Sequence, residues 1–492
     1  MTTIQESTEA PRTRSGPVAH YVDGQWRAAG AVATSYAPAT GEPLGEFHDG
    51  NAAVMQEAID SARRAFTESS WRKDRQLRAK VLNEMADAIE AATDELALLL
   101  ARENGKILPE AHFELSLTPS KLRYYAAQAL TGSGRGDQAA AGMLSTLVRE
   151  PVGVAGVIVP WNSPVVLAVR SFAPALAAGC TAVVKMPAQT ALTNGRLVEL
   201  LASCPSLPPG VLNIVTESGN EGAKLMVSSP DVPAISFTGS TAVGRVIAAD
   251  AAARLKRVSL ELGGKTPMIV FPDADLDKAV RTIVAGITTF AGQFCMTGSR
   301  VLVHADVADE VRNRLIDALG KVVVGPGDDE NSQMGPMIDK ASRDRLVRTL
   351  TAYAGDARVL VAGGVPEEPE LANGAYFRPA LYEVDSVDSP LVQTELFGPV
   401  ATFEVFTDET DAIARANATE YGLAASVWTS DGARGLRMAD ALQAGTVWVN
   451  AWAVVMDQFE EGGFKQSGLG RLNGHRAVEE FQEFKHIVQQ FG

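Results

Sequence analysis

Cysteine is scarce in this chain, which has only Cys180, Cys204 and Cys295 among its 492 residues. Their odd number and wide spacing argue against a disulfide framework and favour a reducing compartment, so we expect a cytoplasmic protein. Long apolar runs are missing as well. Even the stretch SPVVLAVRSFAPALAAG is interrupted by Arg170 and Pro174. Because no apolar run reaches the roughly 20 residues of a membrane span, no membrane partner is expected.

Positive charge is in deficit, since 44 Lys and Arg residues stand against 59 Asp and Glu residues, a formal net charge of -15. Nucleic-acid binding depends largely on clustered cations that neutralise phosphates, so no nucleic-acid partner is expected and a small-molecule function is favoured. The first residues of the chain are polar and lack an apolar segment. This predicts a mobile tail over 1–16 rather than a signal peptide.

The length and the 46% hydrophobic content predict two or three globular domains. In the first half, near-continuous apolar strands precede helices, and these strands are VGVAGVIVP, TAVVK, VLNIV and AISFT. The alternation predicts a parallel, doubly wound sheet with both faces covered, which is typical of nucleotide-binding domains. Helical periodicity over 51–66, 74–102 and 109–130 predicts further helices that pack on this sheet.

A second alternation of strands and helices begins near residue 262 and predicts another α/β domain. Its predicted helices include 275–292 and 308–320, and its predicted strands are MIVF, RVLVH, RVLVA, VATFEVF, AASVWT and GTVWVN. Earlier in the chain, the turn-rich stretch TGSGRGDQAAAG followed by MLSTLVRE predicts a hairpin that pairs with the C-terminal segment EFQEFKHIVQQ. The sequence therefore predicts a third, small β element.

Several polar residues stand where strands of the first sheet end, the edge at which open α/β sheets bind ligands. PWNSP places Trp161 and Asn162 there, and an amide can stabilise an oxyanion, although Asn also holds turns. Lys185 ends TAVVK and suits a ribose or a phosphate, unless it is a surface lysine. FTGSTAVG places Gly239 and Ser240 at a strand-to-helix turn, where backbone N–H groups can bind a pyrophosphate. Alone, each of these signals is weak.

Two further residues could carry chemistry. LELGGK puts Glu261 at a strand end, where apolar neighbours would raise its pKa toward that of a general base, and an ion-paired surface glutamate is the alternative. Cys295, in FAGQFCMTGSR, closes a predicted helix in a bend whose free N–H groups can lower the pKa of a thiol. No histidine lies within eight positions to activate it. A buried, inert thiol is the alternative, and we assign that state to Cys180 and Cys204.

Six motifs occur in a fixed order along the chain, and they are PWNSP, FTGS, LELGGK, GQFC, ELFGP and GGFKQSGLGR. In this order and at these separations the chain resembles the NAD(P)-dependent aldehyde dehydrogenase superfamily over about residues 20–490. The resemblance implies a Rossmann-like parallel-sheet cofactor domain over 17–130 and 151–261 and a second α/β catalytic domain over 262–472. It also implies a small β oligomerisation element over 131–150 and 473–492. Exposed strand edges of this kind need a partner, so we expect a homodimer or homotetramer.

The resemblance also implies a role for each matching residue. Cys295 is the expected nucleophile, Glu261 the general base, and Asn162 with the backbone N–H of Cys295 the oxyanion hole. An aldehyde would be oxidised to a carboxylic acid through a thiohemiacetal and a thioester, which water activated by Glu261 hydrolyses. No metal is expected. The residues that match contacts to NAD or NADP are Ile158, Trp161, Lys185, Gly239, Ser240, Leu262, Glu395 and Phe397.

One departure from the resemblance bears on the cofactor. The segment KMPAQT has Ala188 where many members carry the glutamate that holds the adenosine 2'-hydroxyl. Because an acidic group there would repel a 2'-phosphate, while Lys185 could pair with one, we predict that NADP is tolerated with no firm preference between the two cofactors.

The substrate is predicted from the positions that match the family's aldehyde tunnel, which are Ser163, Leu167, Arg170, Phe294, Met296, Val455, Met456 and Phe459. This mostly apolar set favours a medium aliphatic or aromatic aldehyde. Arg170 could instead bind the carboxylate of a semialdehyde, or pair with an acidic residue between helices. A CoA-acylating enzyme would generally lack Glu261, and a non-catalytic structural relative would lack at least one of Cys295, Glu261 and Asn162, so both functions are less favoured.

Overall fold

The computed structural model describes residues 16–132, 134–355 and 357–491, so that the predicted tail over 1–16 lies outside the described residues except for Gly16. The first elements are β1 (His20–Val22), β2 (Gln25–Arg27), β3 (Ala31–Tyr36), β4 (Pro43–Asp49), α1 (Ala52–Glu68), α2 (Arg75–Ala91), α3 (Thr93–Asn104), α4 (Leu108–Leu130), β5 (Arg135–Ala140) and β6 (Met143–Pro151). Next come β7 (Val154–Ile158), α5 (Pro164–Ala178), β8 (Thr181–Pro187), α6 (Ala191–Ala202), β9 (Leu212–Glu217), α7 (Glu221–Ser228), β10 (Ala234–Thr238), α8 (Thr241–Ala252) and β11 (Arg257–Glu261).

The remaining elements begin after the LELGGK motif. They are β12 (Pro267–Val270), α9 (Leu276–Thr288), β13 (Arg300–His304), α10 (Ala308–Gly320), α11 (Lys340–Tyr353), β14 (Arg358–Val361), β15 (Ala380–Glu383), α12 (Pro390–Gln393), β16 (Val400–Phe406), α13 (Glu409–Asn417), β17 (Tyr421–Gly422), β18 (Ala424–Trp428), α14 (Gly432–Ala441), β19 (Thr446–Val449), β20 (Phe464–Lys465), β21 (Gly468–Leu469), α15 (Arg476–Glu479) and β22 (Gln482–Gln490).

The first sheet has eight strands in the order β2-β1-β9-β8-β7-β10-β11-β21, and the five strands from β9 to β11 are parallel. Along β8, Val184 packs in the apolar cluster that contains residues of α2 to α6, whereas the adjacent Val183 packs in the cluster of α1, α7 and α8. Helices therefore cover both faces, and the predicted doubly wound sheet is confirmed. The strands β1, β2 and β21 were not predicted, and β21 pairs with β11 although it comes from the segment assigned to the second domain.

The second sheet has seven strands in the order β14-β15-β16-β13-β12-β18-β19, all parallel except the edge strand β14. Its two faces pack against different helices, since Met268 lies in a cluster with residues of α9 and α10 and Ile269 in one with residues of α13 and α14. The predicted second α/β domain is thereby confirmed.

A three-stranded antiparallel sheet has the order β22-β6-β5. The central strand β6 pairs with β22 from Pro151 opposite Gln482 to Met143 opposite Gln490. The hairpin thus pairs with the C-terminal segment, and the sheet exposes Phe484, Ile487 and Val488. No helix among the described ranges is long and apolar enough to cross a membrane.

Two predicted helices differ in the structure. The segment 74–102 forms α2 and α3, which are separated at Ala92. The predicted helix over 275–292 ends at Thr288. It is followed by a turn in which Phe290, Ala291 and Gly292 have φ angles of 53°, 52° and 69°. Left-handed conformations are unfavourable for residues other than glycine, so contacts with the rest of the protein must hold this turn.

Candidate active site

A cavity of about 300 Å³ lies where strands β7, β10 and β11 of the first sheet end, beside the bend that carries Cys295. This cleft contains all three of the predicted reacting side chains, those of Cys295, Glu261 and Asn162. Its lining residues are Pro160, Trp161, Asn162, Leu167, Thr238, Gly239, Ser240, Glu261, Leu262, Gly263, Cys295, Arg345, Glu395, Leu396 and Phe397.

The bend before Cys295 is fixed by hydrogen bonds on both sides of its left-handed turn. The backbone N–H of Phe290 donates to the Glu110 carboxylate at 2.9 Å, and that of Gln293 donates to the Phe290 carbonyl at 2.9 Å. The Thr297 hydroxyl donates to the Gly292 carbonyl at 3.1 Å. These bonds offset the cost of the left-handed residues and hold the thiol at one position in the cleft.

A buried lysine connects the Asn162 loop to the same bend. The ammonium group of Lys106 pairs with Glu114 at 2.5 Å, donates to the Asn162 carbonyl at 2.8 Å, and lies 3.9 Å from the centroid of the Phe290 ring. The side-chain amide of Asn162 in turn donates to the Gln293 carbonyl at 3.0 Å. Asn162 is therefore held against the bend that carries the thiol.

Lys106, Glu110 and Glu114 were not predicted as site residues. Glu114 also accepts hydrogen bonds from the backbone N–H groups of Val165 and Val166, in the first turn of α5. The two glutamates are four residues apart on α4, so their shared helix face was a usable signal for a buried polar cluster. Because nothing in a helical pattern says what such a face contacts, their role became visible only in the structure.

Burial keeps the Cys295 thiol protonated, in contrast to the lowered pKa that the sequence predicted. Burial raises the pKa of Cys295 to about 12, and Arg170 opposes this shift, while Glu395, Glu261 and Glu461 add to it. Burial also raises the pKa of Glu261 to about 8, and its Oε1 atom has no hydrogen-bond partner among the described residues. A carboxyl group with such a pKa exchanges its proton near neutral pH, as a general base requires.

The residues predicted to bind the cofactor form one wall of the cleft. The rings of Trp161 and Phe397 meet edge to face, with centroids 5.6 Å apart. Glu395 accepts a hydrogen bond from the Gly264 N–H at 3.0 Å, and burial raises the pKa of Glu395 to about 7. A Cβ atom at Gly239 would meet the Phe237 ring at 2.4 Å, so only glycine fits there and its backbone is open to a ligand.

Two predicted cofactor residues do not line the cleft. Ile158 is buried in the apolar core beneath α1, α7 and α8. Lys185, on β8, is half-buried. Burial lowers its pKa, whereas the neighbouring carboxylates of Glu217 and Asp49 raise it. Five lining residues were not predicted as site residues. Four of them lie inside the quoted motifs, namely Pro160, Thr238, Gly263 and Leu396, whereas Arg345 of α11 lies outside every motif.

Of the predicted substrate positions, only Leu167 lines this cleft, and Ser163, Met296 and Phe459 are not part of its lining. Ser163 is buried, and its hydroxyl lies 3.4 Å from Lys106 Nζ. Met296 is buried in the core with Leu423, Ala424 and Trp448. Phe459 is 62% exposed at the surface. Ser163 thus contacts the buried Lys106 cluster, and Met296 is part of a core cluster.

Two further predicted substrate positions, Phe294 and Arg170, lie beside residues of the cleft. The Phe294 ring meets those of Phe290 and Trp452 edge to face, with centroids 5.4 Å and 6.0 Å away. Arg170 is buried and contacts Glu461, with 3.4 Å between Nη1 and Oε2. Of the two states considered for Arg170, pairing with an acidic residue is thus the one observed. Within the described parts of the chain, no group of three or more His, Cys, Asp or Glu residues is arranged to hold a metal ion.

A thiol, an amide and a carboxyl group meet in one cleft at the edge of a nucleotide-binding type of sheet, with a second α/β unit beside it, and this combination defines a two-domain α/β enzyme. Residues 26–487 match the family described as the aldehyde dehydrogenase family, and the chain belongs to that family. The predictions of the family, of the α/β fold and of an aldehyde-oxidising enzyme are confirmed.

Individual relatives agree with this assignment. The chain is 38% identical to phenylacetaldehyde dehydrogenase from Pseudomonas fluorescens over 478 residues, which cover 95% of both chains. It is 36% identical to hydroxyisobutyraldehyde dehydrogenase from Mycolicibacterium austroafricanum, covering 98% of this chain and 95% of the relative. A crystal structure of betaine aldehyde dehydrogenase from Staphylococcus aureus in complex with NAD+ superposes with a TM-score of 0.94 at 34% identity, covering 97% of this chain and 95% of the other.

Proposed function

We propose that this protein oxidises an uncharged aldehyde of medium size, aliphatic or aromatic, to a carboxylic acid, with NAD(P)+ as the hydride acceptor. The observation that carries the proposal is that Cys295, Asn162 and Glu261 line one cleft together with Trp161 and Phe397. The NAD+ complex of the related betaine aldehyde dehydrogenase supports the choice of cofactor.

The residues of the cleft fit a dinucleotide. Gly239 offers bare backbone, and Ser240 caps α8, whose N-terminal N–H groups and positive dipole end suit a pyrophosphate. Glu395, Leu262 and Phe397 lie beside them and would hold the nicotinamide half. When bound, NAD(P)+ supplies the acceptor for the hydride that an aldehyde cannot release to water.

The protein's own residues supply the remaining chemistry. Glu261 takes the proton of the Cys295 thiol, whose high pKa makes such a base necessary, and the thiolate attacks the aldehyde carbon. The second N–H of the Asn162 amide and the backbone N–H of Cys295 donate to the oxyanion that forms. After oxidation the acyl group is a thioester of Cys295, and Glu261 removes a proton from the water that hydrolyses it. Glu261 thus acts twice, and its presence favours hydrolysis over transfer to coenzyme A.

The choice of an uncharged substrate rests on two features next to the thiol. Phe294 is part of an aromatic group with Phe290 and Trp452, which suits an alkyl or aryl chain. The charge of Arg170 is already compensated by Glu461, so a carboxylate on the substrate would compete with a buried ion pair. The similarity to phenylacetaldehyde dehydrogenase supports an aryl-substituted aldehyde. A semialdehyde is correspondingly disfavoured.

NAD is proposed as the preferred of the two cofactors, with NADP used less efficiently. Ala188 removes one carboxylate from the edge at which Lys185 lies, but Glu217 and Asp49 both act on Lys185 there. Their charges would oppose the 2'-phosphate of NADP, whereas the 2'-hydroxyl of NAD carries no charge.

Association into a homodimer or homotetramer is proposed from the sheet of β5, β6 and β22. Its edge strand β22 exposes three apolar side chains, with Phe484 54%, Ile487 40% and Val488 51% exposed. An apolar edge strand of this kind favours pairing with another chain. Sedimentation equilibrium of the purified protein tests this proposal.

A substrate panel tests the proposed reaction. Phenylacetaldehyde, hexanal and succinic semialdehyde should each be offered with NAD+, and both NADH and the carboxylic acid should be measured. We expect efficient turnover of the first two, weak turnover of the semialdehyde, and loss of all activity on alkylation with iodoacetamide. Activity that survives alkylation of Cys295 would contradict the mechanism, and a preference for succinic semialdehyde would contradict the proposed substrate class.

A further inference from the structure

The buried ion pair next to the cleft is loosely held. Arg170, on α5, is buried with a side-chain exposure of 7%, and its Nη1 atom makes a single contact of 3.4 Å with Glu461 Oε2. Its Nη2 atom donates to the Thr238 hydroxyl at 3.1 Å, and its Nε atom has no partner within the part of the chain that the structure describes. A buried guanidinium normally donates more hydrogen bonds than this, so Arg170 can still donate to a further acceptor.

Thr238 brings this guanidinium to the general base. Thr238 ends β10 and is the register neighbour of Glu261 on the parallel strand β11, with the Gly239 N–H donating to the Glu261 carbonyl at 3.0 Å. Register neighbours on adjacent strands project their side chains to the same face of a sheet. Arg170, bonded to the Thr238 side chain, therefore lies over the face that carries Glu261, whose Oε1 atom is buried and unpartnered among the described residues.

The charges that act on Glu261 form two opposing sets. Arg170 and Arg471 favour its ionised form, and Glu461 and Glu480 oppose it, with Arg170 the strongest of the four. Arg471 and Glu480 are occupied elsewhere, since Arg471 donates to the Gly470 carbonyl at 2.6 Å and its backbone N–H donates to Glu480 at 3.3 Å. The net effect of charge on the ionisation of Glu261 thus depends mainly on Arg170 and on the Glu461 carboxylate that pairs with Arg170.

We propose that Arg170 and Glu461 are positioning residues that set the pH range in which Glu261 works. Arg170 attracts the ionised carboxylate of Glu261. The negative charge of Glu461, which pairs with Arg170, weakens that attraction. Without Arg170, Glu261 would hold its proton up to a higher pH than in the wild type. Without Glu461, Arg170 would pair fully with Glu261 and weaken it as a base. The inference rests on the proposed role of Glu261, and it gives Arg170 a function that needs no charged substrate.

The test is the pH dependence of kcat, measured where hydrolysis of the acyl-enzyme limits turnover, for the wild type, Arg170→Gln and Glu461→Gln. The acidic limb should move to higher pH in Arg170→Gln and to lower pH in Glu461→Gln, each by about one pH unit, which is about a tenfold change in rate on the limb. Arg170→Lys should return the limb toward its wild-type position. Loss of structural support alone would lower both rates without moving the limbs in opposite directions.

Glu479→Gln is the matched control, because Glu479 pairs with Arg149 at 2.6 Å near β6 and should leave the limb unchanged. If Arg170→Gln fails to fold, Glu461→Gln still decides, since only a shift to lower pH supports the proposal. Limbs that stay in place, or move in the same direction, would overturn it. Glu261→Gln distinguishes a failure of the proposed role of Glu261 from a failure of the proposed role of the Arg170–Glu461 pair. If that variant hydrolyses the acyl-enzyme normally, the proposed role of Glu261 fails. If it stalls while the limbs of the other variants stay fixed, only the role of the pair fails.

Discussion

Two buried Arg–Glu pairs in this protein differ in how completely they are satisfied. In the second sheet, Arg300 on β13 binds Glu404 on β16 through two bonds, Nε to Oε1 at 2.8 Å and Nη2 to Oε2 at 2.7 Å, and both side chains are fully buried. Beside the cleft, Arg170 makes one contact of 3.4 Å with Glu461 and leaves Nε unused among the described residues.

This difference separates a structural from a functional use of buried charge. A bidentate pair cannot change partners without leaving a charge unpaired in a low-dielectric interior, so the Arg300–Glu404 pair holds its two strands in one arrangement. A singly bonded pair can respond to a third charge nearby. Two of the buried polar atoms that lack a hydrogen-bond partner among the described residues, Arg170 Nε and Glu261 Oε1, lie around the cleft, where a charge changes during the reaction.

The largest effect on turnover is expected from removing the thiol of Cys295 in the cleft. Cys295→Ser should lower kcat on the order of 10³-fold or more, because a hydroxyl is a much weaker nucleophile, while thermal stability stays close to that of the wild type. The measurement is NADH formation together with the melting temperature. Cys204→Ser is the control, since Cys204 is buried in the core and should be dispensable for turnover. Equal losses in the two variants would refute a special role for Cys295.

Breaking the Arg300–Glu404 pair should lower stability and leave turnover unchanged, the opposite of the effect expected for the thiol. Arg300→Gln leaves Glu404 unpaired where both side chains are fully buried, and we expect a loss of about 3–5 kcal/mol in the free energy of unfolding. Urea unfolding at fixed protein concentration measures this loss, and activity per folded molecule should be unchanged. Arg170→Gln should cost less stability than Arg300→Gln. If Arg170→Gln proved the more destabilising of the two, the distinction between the pairs would be lost.

The sequence predicted the parts of the molecule that local patterns encode. Strands such as β7 and β10 are continuous apolar runs, and their parallel sheet follows from the helices between them. Asn162, Glu261 and Cys295 were predicted as site residues because each lies in one of six motifs with a fixed order. Their convergence in one cleft is what the structure adds to that prediction.

The features that the sequence did not predict depend on long-range contacts. Phe290 and Ala291 are left-handed although neither is glycine, and the hydrogen bond that the Phe290 N–H donates to Glu110 joins residues 180 positions apart. Arg170 and Glu461 are 291 positions apart, so a single sequence could offer pairing only as one of two possible states. Ser163 contacts Lys106, and Met296 packs with Leu423, Ala424 and Trp448, partners that the motifs do not mention.

The pH dependence of the wild-type enzyme tests whether the buried carboxyl group in the cleft is as poorly satisfied as the structure indicates. Burial raises the pKa of Glu261 from its ordinary value of 4.5 to about 8, so below that pH the carboxyl group is protonated and cannot accept a proton from water. Hydrolysis should therefore rise by roughly tenfold per pH unit up to about pH 8 and level off above it. Stopped-flow measurement of acyl-enzyme decay across this range provides the test. A rate already constant from about pH 6 would contradict an unsatisfied, desolvated base.

The smallest effect is expected at Glu217. Its carboxylate is buried and fully hydrogen-bonded, yet it lies near the sheet edge where the cofactor is proposed to bind. It is 1% exposed and accepts hydrogen bonds from the N–H groups of Gly222 at 2.7 Å and Ala223 at 3.2 Å. Its charge nevertheless acts on Lys185. Glu217→Gln keeps the shape and one acceptor oxygen, and removes the charge that opposes a 2'-phosphate. We expect the ratio of kcat/KM for NADP to that for NAD to rise several-fold, up to about tenfold, a change of about 1.4 kcal/mol.

The matched control for this variant is Glu221→Gln, an exposed position at the start of the same helix α7, which should leave the ratio of the two cofactors unchanged. Melting temperatures of both variants separate loss of the helix cap from loss of charge, since weaker capping lowers stability without favouring either cofactor. If Glu217→Gln melts earlier but keeps the wild-type ratio, satisfied carboxylates in this protein act only as structure. If the ratio rises, a fully hydrogen-bonded carboxylate also selects between the two cofactors through its charge.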